Sequence, residues 1–390
     1  MACFMTGASE TVETIVLLLI VSSGVYSLFS LFCVVEFFTR KGECGEVLSH
    51  TPVSIIKPLR GYDPNLQDNI RSFCVQDYPE YEVLLGFTDP GDSALADARE
   101  VAAAQPDCAV RIVVNETGPG VNRKISNLQG LAEAARYTLL AMSDSDMRAD
   151  RYYLGRITGE YFSRENVGLV TSLYKIPNPV SAGAALESLT IALDFIPSVL
   201  VARRLEGITF GLGASMLLSK KSLEDIGGFS IIADYLADDY RIGNRLWKKG
   251  YRIILSRYVI ENVAGHMSMA DYLIHQLRWA RTYRASRPKG FFGYGITHML
   301  PLSLVYLFLH GTTILSLSMV GAVLVLRLGL ALVLYRQVIR SRGWLKWLPI
   351  VPIKDVLSFG IWVWSFSGRK VFWRGKYYRI EKDGRIREEA

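Results

Sequence analysis

The apolar and polar positions of this chain of 390 residues follow two patterns. Residues 14–35, 299–335 and 344–366 form long, almost wholly apolar stretches, whereas residues 50–265 mix short apolar runs with amphipathic segments. A helix of about 20 apolar residues is long enough to cross a bilayer. The pattern therefore predicts a soluble α/β region with membrane-embedded segments before and after it.

Flanking charges orient the first apolar stretch. Glu10 and Glu13 precede it, and Arg40 and Lys41 follow it. The stretch lacks the basic leader and the cleavage site of a secretory signal, which favours an uncleaved anchor. Because positive charges favour the cytoplasmic side, we expect the region that follows to lie in the cytoplasm.

The second and third apolar stretches predict different membrane structures. The second carries one charge, Arg327, and a helix break at residues 310–313, which favours two helices joined by a tight turn. The third carries Lys354 and Asp355 near its middle, and such a pair is costly in lipid. A cytoplasmic basic tail also requires an even number of crossings, so a re-entrant third stretch is favoured over a full crossing.

The soluble region predicts strands that alternate with helices. The predicted strands are residues 53–56, 81–87, 110–114, 138–142, 167–173, 214–218 and 251–255, and the predicted helices are residues 65–76, 94–104, 125–137, 182–202, 236–249 and 272–287. Such alternation indicates an α/β fold with a mostly parallel sheet. Ligands of these sheets bind beyond the carboxyl ends of the strands.

Composition supports a membrane protein. Hydrophobic residues make up 50% of the chain, and the mean hydropathy is +0.21. The net charge of +7 is compatible with nucleic-acid binding, but much of the excess lies in the C-terminal tail and beside apolar stretches, where attraction to anionic lipid is the simpler explanation. No nucleic-acid partner is expected. The five cysteines show no paired spacing, which is typical of reduced cytoplasmic thiols.

An acidic pair follows the fourth predicted strand. Asp144 and Asp146 stand two residues apart, so both carboxylates can bind one hard cation such as Mg²⁺ or Mn²⁺. Such a cation bridges two phosphates and neutralises a diphosphate leaving group. The alternative is a helix N-cap, for which Asp and Ser are favoured residues.

Other polar residues follow strands or precede helices. Asp89 and Asp92 end the second strand, where a carboxylate can accept a hydrogen bond from a nucleobase such as uracil; the alternative is a polar turn at Asp-Pro-Gly. Lys124 precedes a helix and can face phosphates. The alternative for Lys124 is a solvated, capped helix start.

Two adjacent acids open the amphipathic helix at residues 236–249. A carboxylate within reach of an acceptor hydroxyl can take its proton as the hydroxyl attacks, which makes Asp239 a candidate general base. Asp238 beside it is a candidate substrate contact. The alternative is that both acids only complement the helix dipole.

The last predicted helix of the soluble region carries Gln276-Leu277-Arg278-Trp279. Arg278 can bind diphosphate, and Trp279 can form a wall of an acceptor pocket. The alternative is an interfacial belt of basic and aromatic residues.

The order and spacing of these motifs resemble one family. The residues that carry the resemblance are Lys57-Pro58-Leu59-Arg60-Gly61, Asp77-Tyr78-Pro79, Asn122-Arg123-Lys124-Ile125-Ser126-Asn127-Leu128, Asp144-Ser145-Asp146, Gly213-Ala214-Ser215-Met216, Ala237-Asp238-Asp239-Tyr240 and Arg278-Trp279. With these motifs the chain resembles the ceramide glucosyltransferases and their bacterial relatives, glycosyltransferase family 21, including the glycosyltransferases of hopanoid biosynthesis.

The resemblance implies a GT-A type, Rossmann-like nucleotide-sugar fold with N-terminal and C-terminal transmembrane helices. Asp92, then Asp144 with Asp146, then Asp239 match the three aspartate positions of the family. The implied chemistry is an inverting displacement with a divalent Mn²⁺ or Mg²⁺, in which the third position is the base and an α-linked UDP-sugar gives a β-glycolipid. His275 stands where the family has Gln or Arg. It can still donate a hydrogen bond and, if protonated, bind phosphate, so it remains a candidate substrate contact, while the donor contacts or the acceptor type stay open.

Two other classes of function fit part of the pattern. A processive polysaccharide synthase shares the aspartates and the Arg-Trp motif, but would need more membrane helices to form a channel. A transporter or a membrane-anchored binding protein would not need acidic residues clustered at strand ends. A glycolipid-forming enzyme therefore ranks first.

The expected partners are a UDP-sugar donor, the membrane and a lipid acceptor. The acceptor is ceramide, a hopanoid polyol such as bacteriohopanetetrol, which would receive N-acetylglucosamine, or diacylglycerol. The predicted organisation is an anchor at residues 1–48, a cytoplasmic catalytic domain at 49–290, a transmembrane or re-entrant region at 291–368 and a basic tail at 369–390. The expected location is a bacterial inner membrane.

Overall fold

The computed structural model describes the backbone of residues 2–40, 50–61 and 63–389, and the side chains of these residues except 2–9, 342 and 344. By their contacts, these residues form two compact units. A helical unit contains the N-terminal helix, Pro177–Leu205 and Met267–Val371. A sheet unit contains the described residues between the N-terminal helix and Ile176, then Glu206–His266 and the residues from Phe372 onward.

The two units interleave along the chain, whereas the sequence predicted contiguous domains. Residues 267–290, which were predicted to belong to the catalytic domain, group with the apolar helices. Lys41 and the predicted boundary at residue 48 lie outside the described residues. The four predicted domains stay predictions.

The strands and helices are as follows. The strands are β1 (Val53–Pro58), β2 (Tyr81–Phe87), β3 (Ala109–Val114), β4 (Leu139–Ser143), β5 (Met147–Arg148), β6 (Val167–Lys175), β7 (Ser215–Ser219), β8 (Arg252–Asn262), β9 (Lys370–Trp373), β10 (Lys376–Ile380) and β11 (Ile386–Glu389). The helices are α1 (Ala2–Thr39), α2 (Leu66–Cys74), α3 (Leu95–Ala104), α4 (Arg123–Ala134), α5 (Tyr153–Phe162), α6 (Ala182–Thr190), α7 (Ile196–Glu206), α8 (Lys220–Asp225), α9 (Asp238–Lys248), α10 (Met269–Ser286), α11 (Pro288–Gly293), α12 (Met299–His310), α13 (Ile314–Ile339) and α14 (Val351–Ser365).

The sheet unit is built on strands in the order β3-β2-β1-β4-β7-β6-β8-β5. The first four predicted strands, β1 to β4, pair in parallel as expected. β7 runs antiparallel to both β4 and β6, and β6 pairs in parallel with β8. The parallel strands place the loops that follow β1, β2 and β4 at one edge of the sheet, which is where ligands bind in such folds.

The core around β1 and β4 supports this edge of the sheet. Every residue of β1 and β4 is buried, because helices cover both faces of a parallel sheet. Helix α4 packs Ile125, Leu128 and Leu131 into the same apolar cluster as Ile56 and Leu84. Each such fully buried side chain contributes about 1.5–3 kcal/mol of stabilisation.

The helical unit contains long apolar helices. Within the described residues, four helical segments are long and apolar enough to cross a membrane, namely Glu10–Thr39, Ala182–Glu206, Ile314–Ile339 and Leu345–Ser365. Three of them overlap the predicted apolar stretches. The fourth, Ala182–Glu206, contains residues 182–202, which were predicted as a helix of the soluble region, and most of it is buried inside the protein.

The predicted break in the second apolar stretch is confirmed. Helix α12 ends at His310, and Gly311 takes a φ of 79° that favours glycine. Thr313 then caps α13 by accepting a hydrogen bond from the backbone N–H of Ser316. The cap and the glycine together explain why one long apolar stretch forms two helices.

The third apolar stretch contains the helical segment Leu345–Ser365, which is long and apolar enough to cross a membrane. Among the described residues, the sharply bent helix pair lies earlier, at Pro288–Thr297 and Met299–His310, with an angle of 66°. The side chains of Lys354 and Asp355 are buried and ion-paired, so the cost that argued against a full crossing is reduced. The re-entrant arrangement of residues 344–366 stays a prediction.

The segment described from sequence as a basic tail contains a three-stranded sheet. Its strands follow the order β11-β10-β9, and β10 and β11 are antiparallel. Tyr378, Ile380 and Ile386 are buried, so alternate residues of these short strands face the protein. The tail therefore forms part of the sheet unit.

Candidate active site

Carboxylates and a lysine converge at the carboxyl end of β4. Asp144 follows β4, Lys124 lies in the first turn of α4, and Asp238 begins α9. The Nζ atom of Lys124 lies 2.6 Å from a carboxylate oxygen of Asp144 and 3.5 Å from one of Asp238. Burial lowers the pKa of Lys124, but these carboxylates more than reverse the effect, so its pKa is raised and its ammonium stays charged.

The loop before α9 is tied to the start of α4. Asn122 is fully buried, and its side chain accepts from the N–H of Lys124 and donates to the carbonyl of Tyr235 at 2.7 Å. The N–H of Val121 donates to Asp234 at 3.0 Å. The helix start is thus capped, as the alternative for Lys124 proposed, yet Lys124 faces the acids instead of solvent.

Asp146 is held by the neighbouring strand β8. The side-chain amide of Asn262 donates to its carboxylate at 2.7 Å, and the N–H of Val263 donates to its carbonyl at 2.8 Å. Burial and the negative charge of Asp144 raise the pKa of Asp146. Two close carboxylates that repel each other form a site that a cation would stabilise.

The carboxylate pair fits a divalent cation that binds together with phosphates. The helix-cap alternative is wrong, because the next helix, α5, has Tyr152 at its N-cap position. Within the described part of the chain, no cluster of three or more His, Cys, Asp and Glu side chains could hold a metal ion alone. Mg²⁺ usually binds through one or two carboxylates plus substrate phosphates and water, which Asp144 and Asp146 match.

Asp239 is fixed by backbone donors in the same site. The N–H of Gly213 donates to one carboxylate oxygen at 2.7 Å, and the N–H of Tyr240 donates to the other at 2.7 Å. Burial and the adjacent Asp238 nevertheless raise the pKa of Asp239 to about 6. A carboxylate of this basicity can accept a proton near neutral pH.

Gly213 lies where the acidic groups meet. A β-carbon at this position would lie 3.2 Å from the Asp239 carboxylate and 3.5 Å from both the Asp144 carboxylate and the Lys124 ammonium. The base candidate and the phosphate-binding candidates therefore surround one glycine. These residues are far apart in the sequence, and the fold brings their side chains together around Gly213.

Lys57 is a site residue to which the sequence analysis gave no role. It is fully buried at the end of β1, donates to the carbonyl of Asp144 at 2.8 Å and lies 3.8 Å from the ring centroid of Phe73. Burial lowers its pKa to about 7, although Asp146 and Asp144 favour the charged form. A lysine that directly follows the buried-strand pattern Ile55-Ile56 was the signal that could have revealed it.

Asp89 and Asp92 make turn contacts. Asp92 accepts from the N–H of Gly61 at 2.9 Å and from the N–H of Ala94 at 2.9 Å, which ties the loop after β1 to the start of α3. Asp89 is exposed and accepts from the N–H of Gly91 at 2.8 Å. These bonds match the polar-turn alternative, and the nucleobase contact stays a prediction.

The motif on α10 belongs to the helical unit. His275 lies 3.0 Å from one carboxylate oxygen of Glu187, and Gln276 donates to the other at 2.8 Å. The ring of Trp279 lies 4.8 Å from that of His275. These contacts fasten α10 to α6, and the substrate contacts of His275, Trp279 and Arg278 stay predictions.

The family is shown by a match along almost the whole sequence. Residues 15–386 match glycosyl transferase family 21. The chain belongs to glycosyltransferase family 21. The match spans every motif on which the resemblance was based, from Lys57 to Trp279, and it extends into the C-terminal sheet.

Two proteins with similar sequences come from Caenorhabditis elegans. Its ceramide glucosyltransferase 1 is 30% identical over 200 residues, which is 51% of this chain and 42% of the relative. Its ceramide glucosyltransferase 3 is 31% identical over 202 residues, which is 51% of this chain and 43% of the relative. The chain thus spans less than half the length of these relatives.

A solved structure supports the fold of this family 21 member. The mannosyltransferase PcManGT from Pyrobaculum calidifontis, in complex with GDP-Man and Mn²⁺, matches with a TM-score of 0.53 at 17% identity. The match covers 90% of this chain and 99% of that chain. It confirms the predicted GT-A type α/β fold, with apolar helices toward both ends of the chain.

Proposed function

We propose that this family 21 member transfers a hexose from a UDP-sugar to the hydroxyl of a membrane lipid, with inversion, and that the lipid is ceramide. The observation that carries the proposal is that Asp239, Lys124 and Asp144 surround Gly213. One site thus combines Asp239, the candidate proton acceptor, with the ammonium of Lys124, the candidate phosphate contact. The two ceramide glucosyltransferases among its relatives support ceramide and glucose as the substrates.

In the proposed reaction, the acceptor hydroxyl attacks the anomeric carbon of the sugar and Asp239 accepts the hydroxyl proton. The new C–O bond forms as the bond to the diphosphate breaks on the opposite face, and UDP leaves with the bonding electrons. Lys124 places a positive charge beside the leaving diphosphate. Asp144 and Asp146 would hold a divalent cation, which would further neutralise the charge of the phosphates.

The apolar helices support a lipid acceptor. A chain with several helices long enough to cross a bilayer meets water-insoluble acceptors at the membrane surface. We infer that the sheet unit faces the cytoplasm, where UDP-sugars are made, because Arg40 follows the first apolar helix. A bacterial inner membrane is the location proposed.

The substrates are tested with the purified full-length protein in lipid vesicles. UDP-glucose, UDP-galactose and UDP-N-acetylglucosamine are each supplied with Mn²⁺ and with ceramide, bacteriohopanetetrol or diacylglycerol, and the products are measured by mass spectrometry. A ceramide carrying one hexose is expected. A hopanoid product would change the acceptor, a ladder of polymer would indicate a synthase, and no product from any UDP-sugar would contradict the proposal.

The role of Asp239 is tested by Asp239→Asn. Removing a general base is expected to lower the rate of glycolipid formation by roughly a hundredfold to ten-thousandfold. The matched control is Glu133→Gln, which changes an exposed acid on α4 that contacts Gln129. Glu133→Gln should retain full activity, and a wild-type rate for Asp239→Asn would refute the assignment.

A further inference from the structure

The C-terminal sheet presents an arginine at a tight turn. Arg374 and Gly375 form the two-residue connection between β9 and β10. Both residues have positive φ, 52° for Arg374 and 81° for Gly375. Two consecutive positive φ angles are typical of the type I′ turn that joins hairpin strands.

Arginine is an unfavourable choice at this position of the turn. Type I′ turns favour Asn-Gly, because asparagine tolerates the left-handed region better than residues with longer side chains. The turn conformation alone would therefore select asparagine at residue 374. The turn conformation therefore does not account for Arg374, which indicates that its side chain has a role apart from the turn.

The C-terminal sheet is attached to the loop that precedes the candidate base. The N–H of Ile386 donates to the carbonyl of Asp234 at 2.7 Å, and Arg385 forms a β-bridge with Tyr235. Arg241, on α9, donates to the carbonyl of Asp383. The same loop is bonded to the start of α4, so the sheet is fixed to the elements that carry Asp238, Asp239 and Lys124.

The side chain of Arg374 lies in the field of the site carboxylates. Burial and the positive charge of Arg60 lower its pKa, while the charges of Asp144, Asp238 and Asp146 act in the opposite direction. Within the described residues its guanidinium has no hydrogen bond or ion pair, and its contact is the ring of Trp373 at 5.1 Å. Since arginine remains protonated in proteins, this partly buried cation would be stabilised by an anion.

We propose that Arg374 binds the diphosphate of the nucleotide-sugar donor, and that the C-terminal sheet holds it at the site. The inference rests on the proposed function, because the donor is the anion of that reaction. A guanidinium can bind phosphate oxygens through two parallel hydrogen bonds. Arg374 and Lys124 then supply two positive charges to the donor from parts of the chain that are distant in sequence.

The test measures binding of UDP with Mn²⁺ to the full-length protein by isothermal titration calorimetry. Arg374→Asn should weaken UDP binding by roughly tenfold to a hundredfold, as expected for a lost hydrogen bond between charged groups. The same variant should unfold at the wild-type temperature or above it, because Asn-Gly suits the turn. Arg374→Lys keeps the positive charge but loses the two parallel N–H donors of the guanidinium. Its affinity for UDP should lie between those of the wild type and of Arg374→Asn.

The matched control is Arg387→Asn, which removes an exposed arginine from β11 of the same sheet. It should bind UDP as the wild type does. Equal losses in both variants would reflect net charge and would overturn the inference, as would unchanged binding by Arg374→Asn. Failure of the wild-type protein to bind UDP would instead contradict the proposed function, so the two failures are distinguishable.

Discussion

At the scale of single residues, Asp239 combines two opposing influences. Two backbone N–H groups favour its charged form, whereas burial and Asp238 disfavour it. The second influence is stronger, and the pKa is raised to about 6. The carboxylate is therefore a stronger base than a solvent-exposed aspartate, yet it remains mostly ionised at neutral pH.

A pH profile tests this balance. Because a base must be deprotonated, kcat/KM should fall about tenfold for each pH unit below the raised pKa of Asp239, and should level off above it. An unshifted aspartate would give this fall only below about pH 4. The measurement is kcat/KM from about pH 5 to about pH 8, with the unfolding temperature recorded at each pH to exclude acid unfolding. A flat acid limb down to pH 5 would contradict the assignment.

The positions of single site residues were predictable from the sequence, but their contacts were not. The positions of Asp144, Asp146 and Asp239 in the fold were predictable in outline, because each stands after a predicted strand or near the start of a predicted helix, whereas their roles stay predictions. The contacts of Asn262 and Lys57 were not, because they depend on strand neighbours that are distant in sequence. A sequence pattern indicates where a strand or helix ends. Only the order of the strands in the sheet shows which residues of other strands lie beside that end.

At the scale of elements, α9 packs directly on the backbone of the loop before β7. A β-carbon on Gly243 would lie 2.1 Å from the backbone nitrogen of Gly211. A β-carbon on Gly211 would in turn lie 2.7 Å from the carbonyl oxygen of Asp239. The position of the candidate base therefore depends on a backbone contact that only glycine permits.

The prediction for this contact uses a pair of glycine substitutions. Gly243→Ala should destabilise the protein by about 1–3 kcal/mol, since neither backbone can move away without disturbing the loop. Gly155→Ala, on α5 with open space around its β-carbon, should be neutral or stabilise by about 0.5–1 kcal/mol. Thermal unfolding of both variants is the measurement. Equal effects would mean that α9 and its loop can separate at little cost.

Prediction of the elements was best where apolar runs were long. The strands of the parallel half and the break between α12 and α13 were expected within a few residues. β9, β10 and β11 were not predicted, because their alternating charged residues give short strands the appearance of a solvated tail. Residues 182–202 were predicted as a helix of the soluble region and not as an apolar helix of the helical unit, because Glu187 and Asp194 interrupt the apolar sequence.

At the scale of the whole molecule, the helical unit contains a network of four charges. The guanidinium of Arg327 binds both carboxylate oxygens of Asp355, at 2.7 and 2.8 Å, and also contacts Asp194 at 3.2 Å. Lys354 contacts Asp194 at 2.5 Å and Asp355 at 2.8 Å. Asp194 lies on a π-helical turn between α6 and α7, so the network joins three separate parts of the chain.

The charges of this network are in direct contact, so substitutions of its members should not be additive. Arg327→Met leaves buried carboxylates without their main partner, and we expect a loss of about 3–5 kcal/mol. The double variant Arg327→Met/Asp355→Leu should be less destabilised than the sum of the single variants. Arg336→Gln, on the exposed side of the same helix, is the control and should change little. Thermal unfolding in detergent is measured for Arg327→Met, Asp355→Leu, the double variant and the control. Strict additivity of the two single effects would refute the coupling.

The interleaving of the two units has a consequence for biosynthesis. A ribosome releases the chain from its N-terminus, so the strands of the large sheet emerge well before α14. The C-terminal sheet, which bonds to Asp234 and carries Arg374, emerges only after α14. The nascent protein therefore cannot assemble its complete catalytic unit until every apolar helix described here has been made. Synthesis itself delays the appearance of a complete site until the helical unit is available for insertion.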